Sequence, residues 1–142
     1  MSRRVVWESR EALCYYARSV LGEDVDFGPC LTLGVLDGDK ILGVIIFHDW
    51  QKDRGTVEIT GAAHSPRWCS RDVVRLIYRT CFEQLSANQI VARCDAQNKT
   101  TERIFKALGF EVVRLPNMRG PNRDELFFYQ TRESWLNTRY SR

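Results

Sequence analysis

Two arginines flank the start of a helix that the sequence predicts directly after a strand. Residues 56–64 alternate as in a strand, residues 65–69 form a short connection, and apolar residues then recur at helical spacing over about 70–85. The first backbone N–H groups of such a helix have no partner within it and bind anions readily. Arg67 and Arg71 add positive charge at the same place. We therefore interpret residues 56–85 as an anion-binding cradle around which the rest of the chain is organised.

The remaining elements are predicted from apolar periodicity and turn residues. Before the cradle, the patterns indicate a short strand at 4–7, a helix from Glu8 or Ser9 to Leu21, strands at 30–36 and 40–48, and a polar turn at 49–55. After it come a strand at 90–94, a helix from Asn98 or Thr100 to Leu108, strands at 110–115 and 125–130, and a short helix or tail at 134–140.

This order of elements predicts an α/β (α+β) fold. We expect a mixed, mostly antiparallel sheet of six to seven strands, flanked by three to four helices, with a central βαβ cradle. The strands at 56–64 and 90–94 flank a helix and should run parallel. No repeat or linker divides the chain, so a single domain over residues 1–142 is expected.

Composition narrows the class of protein without naming a partner. The net charge of +3, from 21 basic and 18 acidic residues, is too mild to argue for nucleic acid on its own and suits an anionic cofactor equally well. The five cysteines contain no C-x-x-C pair, and no leader pattern precedes the first element, so a reduced cytoplasmic chain is expected. The longest apolar run, 41–47, is too short to span a membrane.

The segment Asn98-Lys-Thr-Thr-Glu-Arg-Ile-Phe-Lys-Ala-Leu-Gly-Phe110 carries a family likeness. It resembles the Asn…(Tyr/Phe)-x-x-x-Gly-Phe signature of the GNAT superfamily of N-acetyltransferases. The likeness covers about residues 31–129. Within the superfamily the chain is most similar to the branch that acetylates the N-termini of ribosomal proteins. A GNAT-like domain is therefore the expected fold.

The pyrophosphate loop of the superfamily is only partly matched. Its pattern is Pro-x-Tyr-(Arg/Gln)-Gly-x-Gly-x-(Gly/Ala), and residues 66–74 keep the proline and an aromatic residue but replace all three glycines. Glycine allows backbone to approach phosphate closely and to adopt positive φ. Asp72 suits the helix dipole but would repel a phosphate, and Arg67 and Arg71 could compensate.

The resemblance implies that acetyl-CoA is the cosubstrate and that the acceptor is an amine: a protein N-terminus, a lysine or a small amine. Glu58 is then the candidate catalytic base, because it precedes the loop at a spacing similar to that of a catalytic glutamate in the histone-acetylating branch. The candidate cofactor-binding residues are Ala62, His64, Arg67, Cys69, Ser70, Arg71, Asn98 and Phe105.

Alternatives remain open for several of these residues. Glu58 could be an ordinary solvent-side strand residue, with bound water or His64 as the base. Asn98 could be a helix cap, alone or in addition to a cofactor contact. Phe105 occupies the slot of a tyrosine that protonates the thiolate in many relatives, and it has no proton to give. The acid would then be another group, such as Tyr129 or Cys94, or water.

Other readings of the site concern Cys69, the turn after the second hairpin strand, and metals. In a basic loop the pKa of Cys69 could fall. Trp50, with His48 and Asp49, could line an acceptor site or form a plain turn. His64 and Cys69 lack the two further ligands of a structural zinc site, and no metal is expected.

Two alternatives concern the whole protein. The lost glycines, Asp72 and Phe105 would also fit a GNAT-fold binding module for a protein or nucleic-acid partner. A transferase for another acyl or aminoacyl group is a further alternative. The last strands could pair across a homodimer.

Overall fold

The computed structural model describes residues 3–64 and 66–141. Its strands are β1 (Arg3–Val6), β2 (Cys30–Asp37), β3 (Lys40–Gln51), β4 (Thr56–Ala63), β5 (Gln89–Asp95), β6 (Glu111–Leu115) and β7 (Glu125–Thr131). Its α-helices are α1 (Arg10–Leu21), α2 (Arg71–Tyr78), α3 (Lys99–Ala107) and α4 (Arg132–Leu136). A 3-10 turn, Pro66–Trp68, precedes α2, a π-helical segment, Arg79–Gln84, follows it, and a 3-10 turn, Arg139–Ser141, ends the described chain.

The strands form one seven-stranded sheet in the order β1-β2-β3-β4-β5-β7-β6. β4 and β5 pair in parallel, whereas the other neighbouring strands are antiparallel. The predicted α/β architecture, its mixed sheet and the parallel βαβ unit are therefore confirmed. The prediction for residues 134–140 is partly wrong, because α4 begins earlier, where the Thr131 hydroxyl caps the N–H of Ser134 at 3.1 Å.

β3 is longer than the sequence predicts. It runs to Gln51, so the predicted turn at 49–55 is wrong in its first residues. A bulge between His48 and Gln51 accommodates the extra chain, and Asp49 adopts a left-handed φ of 51°. Aspartate tolerates this conformation better than most residues. The last residues of the strand are mostly polar, so the apolar pattern of the sequence does not predict this extension.

The main helix has the predicted extent but not a uniform geometry. α2 is regular to Tyr78, and the chain then continues as a π-helix. The hydroxyl of Thr80 donates to the carbonyl of Leu76 at 2.7 Å. Beyond it, the N–H of Leu85 donates to the carbonyl of Thr80 at 3.0 Å. This bond joins residues five apart, as in a π-helical turn. The threonine hydroxyl therefore competes with backbone N–H groups for the carbonyls of this turn.

The two faces of the sheet carry different layers. α2, α3 and α4 pack on one face, in a cluster that includes Tyr78, Phe82, Phe128 and Trp135. α1 packs on the other face against β2, β3 and β4, in a cluster that includes Leu13, Val44 and Ile46. Further along that second face, side chains of β5, β6 and β7 line a shallow hollow of about 360 Å³. Glu58 lies between the half covered by α1 and this hollow.

None of the helices that the structure describes combines the length and the apolar character needed to cross a membrane. The five cysteines are free thiols.

Candidate active site

The two parallel strands separate partway along their length. The paired register joins residues 56–58 of β4 to residues 89–91 of β5. β4 nevertheless continues to Ala63 and β5 to Asp95. Beyond Glu58 the strands therefore diverge, and the facing edge of each strand is available to an extended ligand, as an added strand would use it.

Glu58 is the last β4 residue of the paired stretch. Its side chain is 12% exposed. Its Oε2 accepts a hydrogen bond of 3.2 Å from Nε of Arg93 and lies 4.0 Å from Nε2 of His48. Because Arg93 belongs to β5, this ion pair bridges the two strands where they part. Glu58 is thus shielded and oriented, unlike a solvent-side strand glutamate.

Arg93 links Glu58 to a further set of charges on the same face. Its Nη1 lies 3.8 Å from a carboxylate oxygen of Glu125, and Nη1 of Arg119 lies 3.7 Å from the other oxygen. Arg119 also donates a hydrogen bond of 3.4 Å to Glu23. The loop before β7 and the loop after α1 therefore meet beside the opening. Arg93 is not among the predicted site residues; its signal in the sequence is a basic residue within the mostly apolar stretch of β5.

The predicted grouping of Trp50 with His48 and Asp49 is not what the structure brings together. Trp50 packs against the cluster beneath α2. His48 lies on the opposite face, 7% exposed, where its ring makes an edge contact with Phe27 at 5.3 Å between centroids. His48 is included in the candidate site because it lies on the same face of the sheet as Glu58.

The predicted anion site depends on the backbone N–H groups at the start of α2. Ser70 is the N-cap, and its hydroxyl accepts a hydrogen bond of 3.3 Å from the N–H of Val73. The N–H groups of Arg71 and Asp72 come before this bond and are the donors that a helix start offers to an anion. Ser70 is extended, with φ −71°. The described residues 66–74 have no positive φ, so the missing glycines are not required for the conformation of the loop.

Arg3, which is distant in sequence, holds the loop before α2 through a hydrogen bond. Nη1 of Arg3 donates a hydrogen bond of 2.8 Å to the carbonyl of Arg67. Arg3 lies on β1, which the sheet brings to the same end as the loop. The sequence carries no local signal for this contact.

Trp68 anchors the 3-10 turn to the sheet. The indole is 9% exposed and lies over Gly43 of β3 and Gly61 of β4. A Cβ on Gly43 would lie 2.5 Å from Trp68 Cγ and 2.8 Å from Trp68 Cβ, so glycine is needed for this approach. The aromatic residue of the loop pattern is thus a packing anchor.

The other predicted cofactor-binding residues lie on both sides of the opening. Ala62 is buried on β4 beside the α1 layer. The backbone N–H of His64 donates to the Tyr16 hydroxyl at 3.3 Å. Asn98 caps α3, accepting from the N–H of Thr101 at 3.1 Å. Phe105 stacks on Phe128 with 4.8 Å between ring centroids, as a core residue does.

Burial has a larger effect than neighbouring positive charge on the pKa of the two thiols nearest the site. It raises the pKa of Cys69 to about 11, which corrects the expectation of a lowered value in a basic loop. Burial likewise raises the pKa of Cys94 to about 11, with Arg119 opposing the shift. Both side chains are therefore neutral thiols near pH 7.

We predict slow alkylation of Cys69. With its pKa raised from 9.0 to about 11, its thiolate fraction near pH 7.5 should be about a hundredfold below that of an unperturbed thiol. Iodoacetamide labelling read by peptide mass spectrometry would measure this rate, with the urea-unfolded chain as the control. Equal labelling rates in the folded and unfolded chains would contradict the prediction.

Comparisons with known proteins agree with this geometry. The family model described as acetyltransferase (GNAT) domain matches residues 4–111. The chain therefore belongs to the GNAT family of acetyltransferases, and it is an N-acetyltransferase that moves an acetyl group to an amine. A search of curated proteins gives no match.

Solved structures share the fold. Mutant forms of the spermidine/spermine N-acetyltransferase SpeG from Vibrio cholerae have a TM-score of 0.77 at 13% identity, with 96% of this chain and 98% of that chain covered. A T. thermophilus protein assigned as an acetyltransferase has a TM-score of 0.64 at 24% identity, covering 95% of this chain and 74% of that chain.

Proposed function

We propose that the chain transfers an acetyl group from acetyl-CoA directly to a primary amine, with Glu58 as the base that accepts the amine proton. The observation that carries this proposal is the opening between β4 and β5 with a shielded carboxylate at its apex. Acyl transfer to an amine requires a neutral nucleophile, and a positioned carboxylate is a group able to accept its proton.

The residues around the opening fit acetyl-CoA. The edge of β4 beyond Glu58 offers backbone groups to the amides of the pantetheine arm. The start of α2, with Arg71 as its first residue, offers N–H groups and positive charge to the diphosphate. When bound, the thioester supplies the activated acetyl carbonyl. Asp72 opposes phosphate binding by its charge, and the arginines at 67 and 71 offset it.

The side chains divide the remaining work. Arg93 orients Glu58 through their 3.2 Å hydrogen bond. Phe105 cannot protonate the leaving thiolate. Cys94 is protonated near pH 7, because burial raises its pKa to about 11. It and Tyr129 stay the predicted sources of that proton, beside water.

The acceptor site would lie on the face that Glu58 shares with Arg93 and Glu125. The hollow lined by Gln89, Val113, Leu115, Phe127 and Tyr129 adjoins it. SpeG is named for spermidine and spermine, so polyamines belong in an acceptor panel together with lysine and peptides that carry a free N-terminus. The ribosomal-protein branch, the cytoplasmic location and a homodimer stay predictions.

Calorimetric titration with acetyl-CoA, followed by acceptor-dependent release of coenzyme A thiol, tests the proposal. Micromolar binding and amine-dependent release would support it. No heat and no thermal shift at millimolar acetyl-CoA would overturn it and favour the binding module for a protein or nucleic acid.

Reversing the charge at the start of α2 should weaken the cofactor. We expect Arg71→Glu to reduce acetyl-CoA affinity by about ten- to a hundredfold, because it places a carboxylate where the diphosphate would dock. Arg79→Glu is the matched control, since it makes the same exposed charge change at the far end of the helix. Equal affinities for the two variants, measured by calorimetry, would show that the diphosphate binds elsewhere.

A further inference from the structure

His48 is a buried imidazole with a partner at each nitrogen. Its side chain is 8% exposed. Nδ1 lies 2.7 Å from Oδ2 of Asp49, and Nε2 lies 2.7 Å from the hydroxyl of Thr60. Nε2 is also 4.0 Å from the carboxylate of Glu58. The imidazole therefore stands between the shielded carboxylate and a second one.

The second carboxylate reaches solvent. The side chain of Asp49 is 65% exposed. The left-handed backbone at Asp49, with φ of 51°, interrupts the alternation of β3 within the bulge. That interruption brings its carboxylate next to the ring of the preceding residue. Glu58, His48 and Asp49 thus form a series of neighbouring titratable groups that leads from a shielded carboxylate to an exposed one.

We propose that His48 and Asp49 carry the proton of the acceptor amine from Glu58 to solvent. This inference rests on the proposed function, because it assumes that Glu58 accepts that proton. His48 and Asp49 touch no substrate in this scheme and act through Glu58.

The transfer is balanced at each step. The N–H bond of the acceptor ammonium breaks, and an O–H bond forms on Glu58. That O–H bond then breaks as Nε2 of His48 gains the proton, once a torsional shift of the carboxylate closes the 4.0 Å separation. The Nδ1–H bond of His48 breaks, and the proton passes to Asp49 and then to water. Each group then has its starting charge, and His48 is left with its proton on Nε2. Exchange of the ring protons with water returns the neutral ring to the Nδ1–H form before the next turnover.

The tautomer of His48 follows from its partners. A carboxylate accepts hydrogen bonds only, so Asp49 requires the proton of the neutral ring on Nδ1. Nε2 then carries the lone pair that a proton from Glu58 needs. The Thr60 hydroxyl donates to this lone pair at 2.7 Å in the resting state. It must rotate away as Glu58 delivers its proton, and it then accepts from the new Nε2–H.

The same three residues could be read as a metal site, since one ligand atom from each lies within 4.8 Å of the others. The guanidinium of Arg93, 3.2 Å from Glu58, would repel a cation there. Both nitrogens of His48 are already hydrogen-bonded. These contacts favour a hydrogen-bonded relay.

Other groups that face His48 define what a pH profile would report. Its cross-strand neighbours are Cys30 on β2 and Glu58 on β4. Phe27, from the loop after α1, covers the ring. Asp49 is the adjacent acid on its own strand. The experiment must therefore distinguish the contribution of Asp49 to the pH profile from those of Glu58 and Cys30. A substitution at Asp49 alone makes this distinction.

Asp49→Asn is the decisive variant. Asparagine tolerates the left-handed backbone and still accepts a hydrogen bond from Nδ1, so a purely structural role would be preserved. A relay would lose its proton acceptor. We expect kcat/KM with the best amine of the acceptor panel to fall about tenfold at neutral pH, with an altered pH profile and partial recovery as the buffer base concentration rises.

The matched control is Asp53→Asn, which removes the same charge from the exposed turn that follows β3. If Asp49→Asn and Asp53→Asn match in rate, pH profile and buffer dependence, the relay is wrong. If the wild-type chain transfers no acetyl group to any amine, the proposed function itself fails, which is a different outcome.

Nitrogen NMR of the imidazoles gives a readout that needs no activity. The chain has two histidines, so His64→Gln assigns the His48 signals. We expect neutral His48 to carry its proton on Nδ1. A neutral ring protonated on Nε2 would overturn the relay whatever the enzyme assay shows. Unchanged activity in EDTA, with no effect of added Zn²⁺ on these signals, would exclude the metal reading.

Discussion

Glu58→Gln should lower kcat by about 10²- to 10³-fold while leaving acetyl-CoA binding nearly unchanged, since a positioned general base contributes about this much. Glutamine has nearly the shape of glutamate and can still accept a hydrogen bond from Arg93, but it does not take up a proton near pH 7. The loss should be smaller at high pH, where more of the acceptor amine is already neutral. Initial rates of thiol release, with affinity measured separately by calorimetry, would establish both halves of this expectation.

Glu111→Gln is the control for this result. Glu111 lies on the same face of the sheet, at the exposed edge strand β6, and pairs in register with Tyr129. It should keep wild-type kcat. A Glu58→Gln enzyme as fast as the Glu111→Gln enzyme would rule out Glu58 as the base and would leave bound water or His64 to be tested.

Gly43→Ala should displace the turn Pro66–Trp68 from the sheet. The added methyl group would lie 2.5 Å from Trp68 Cγ and 2.8 Å from Trp68 Cβ. Cβ cannot move without its backbone, so the turn Pro66–Trp68 must shift. Overpacking of this kind costs about 1–3 kcal/mol of stability. We also expect acetyl-CoA affinity to fall about tenfold or more, by the cost of misplacing a binding loop.

Gly61→Ala separates crowding from the mere loss of a glycine. Its nearest neighbour would be Cδ1 of Ile45, the mobile end of a side chain, at 3.1 Å, and Trp68 would be 3.7 Å away. It should cost less in thermal unfolding and in affinity. In a Trp68→Leu background, Gly43→Ala should become mild, because the clashing ring is gone. Equal costs of Gly43→Ala in both backgrounds would contradict the role of the indole.

Local pattern was enough to predict much of the fold. The two faces of β4 follow from its strict alternation, with Val57 and Ile59 buried beneath α2 and Glu58 on the opposite side. The parallel pairing of β4 and β5 follows from the helix between them. These features depend on periodicities of a few residues, which a sequence displays directly.

The features that sequence reasoning missed depend on contacts between distant residues or on backbone conformations without a residue signature. The ion pair of Arg93 with Glu58 requires the register of two strands, which no local pattern encodes. β3 continues beyond its apolar residues to Gln51, with Asp49 in a left-handed conformation. The π-helical segment contains a side-chain hydrogen bond from the Thr80 hydroxyl to the carbonyl of Leu76, which apolar periodicity does not display. Each was decided by a hydrogen bond or a local backbone conformation rather than by hydrophobicity.

The short register between β4 and β5 also divides the sheet mechanically. β1 to β4 form one antiparallel block and β5 to β7 form another, and residues 56–58 and 89–91 are the backbone seam between them. Each block can assemble from contacts near in sequence, whereas the seam closes across the α2 crossover, so we expect the seam to form late in folding. A ligand bound along the unpaired edges of β4 and β5 would join the two blocks into a single cooperative unit. It would slow amide exchange on both sides of the seam.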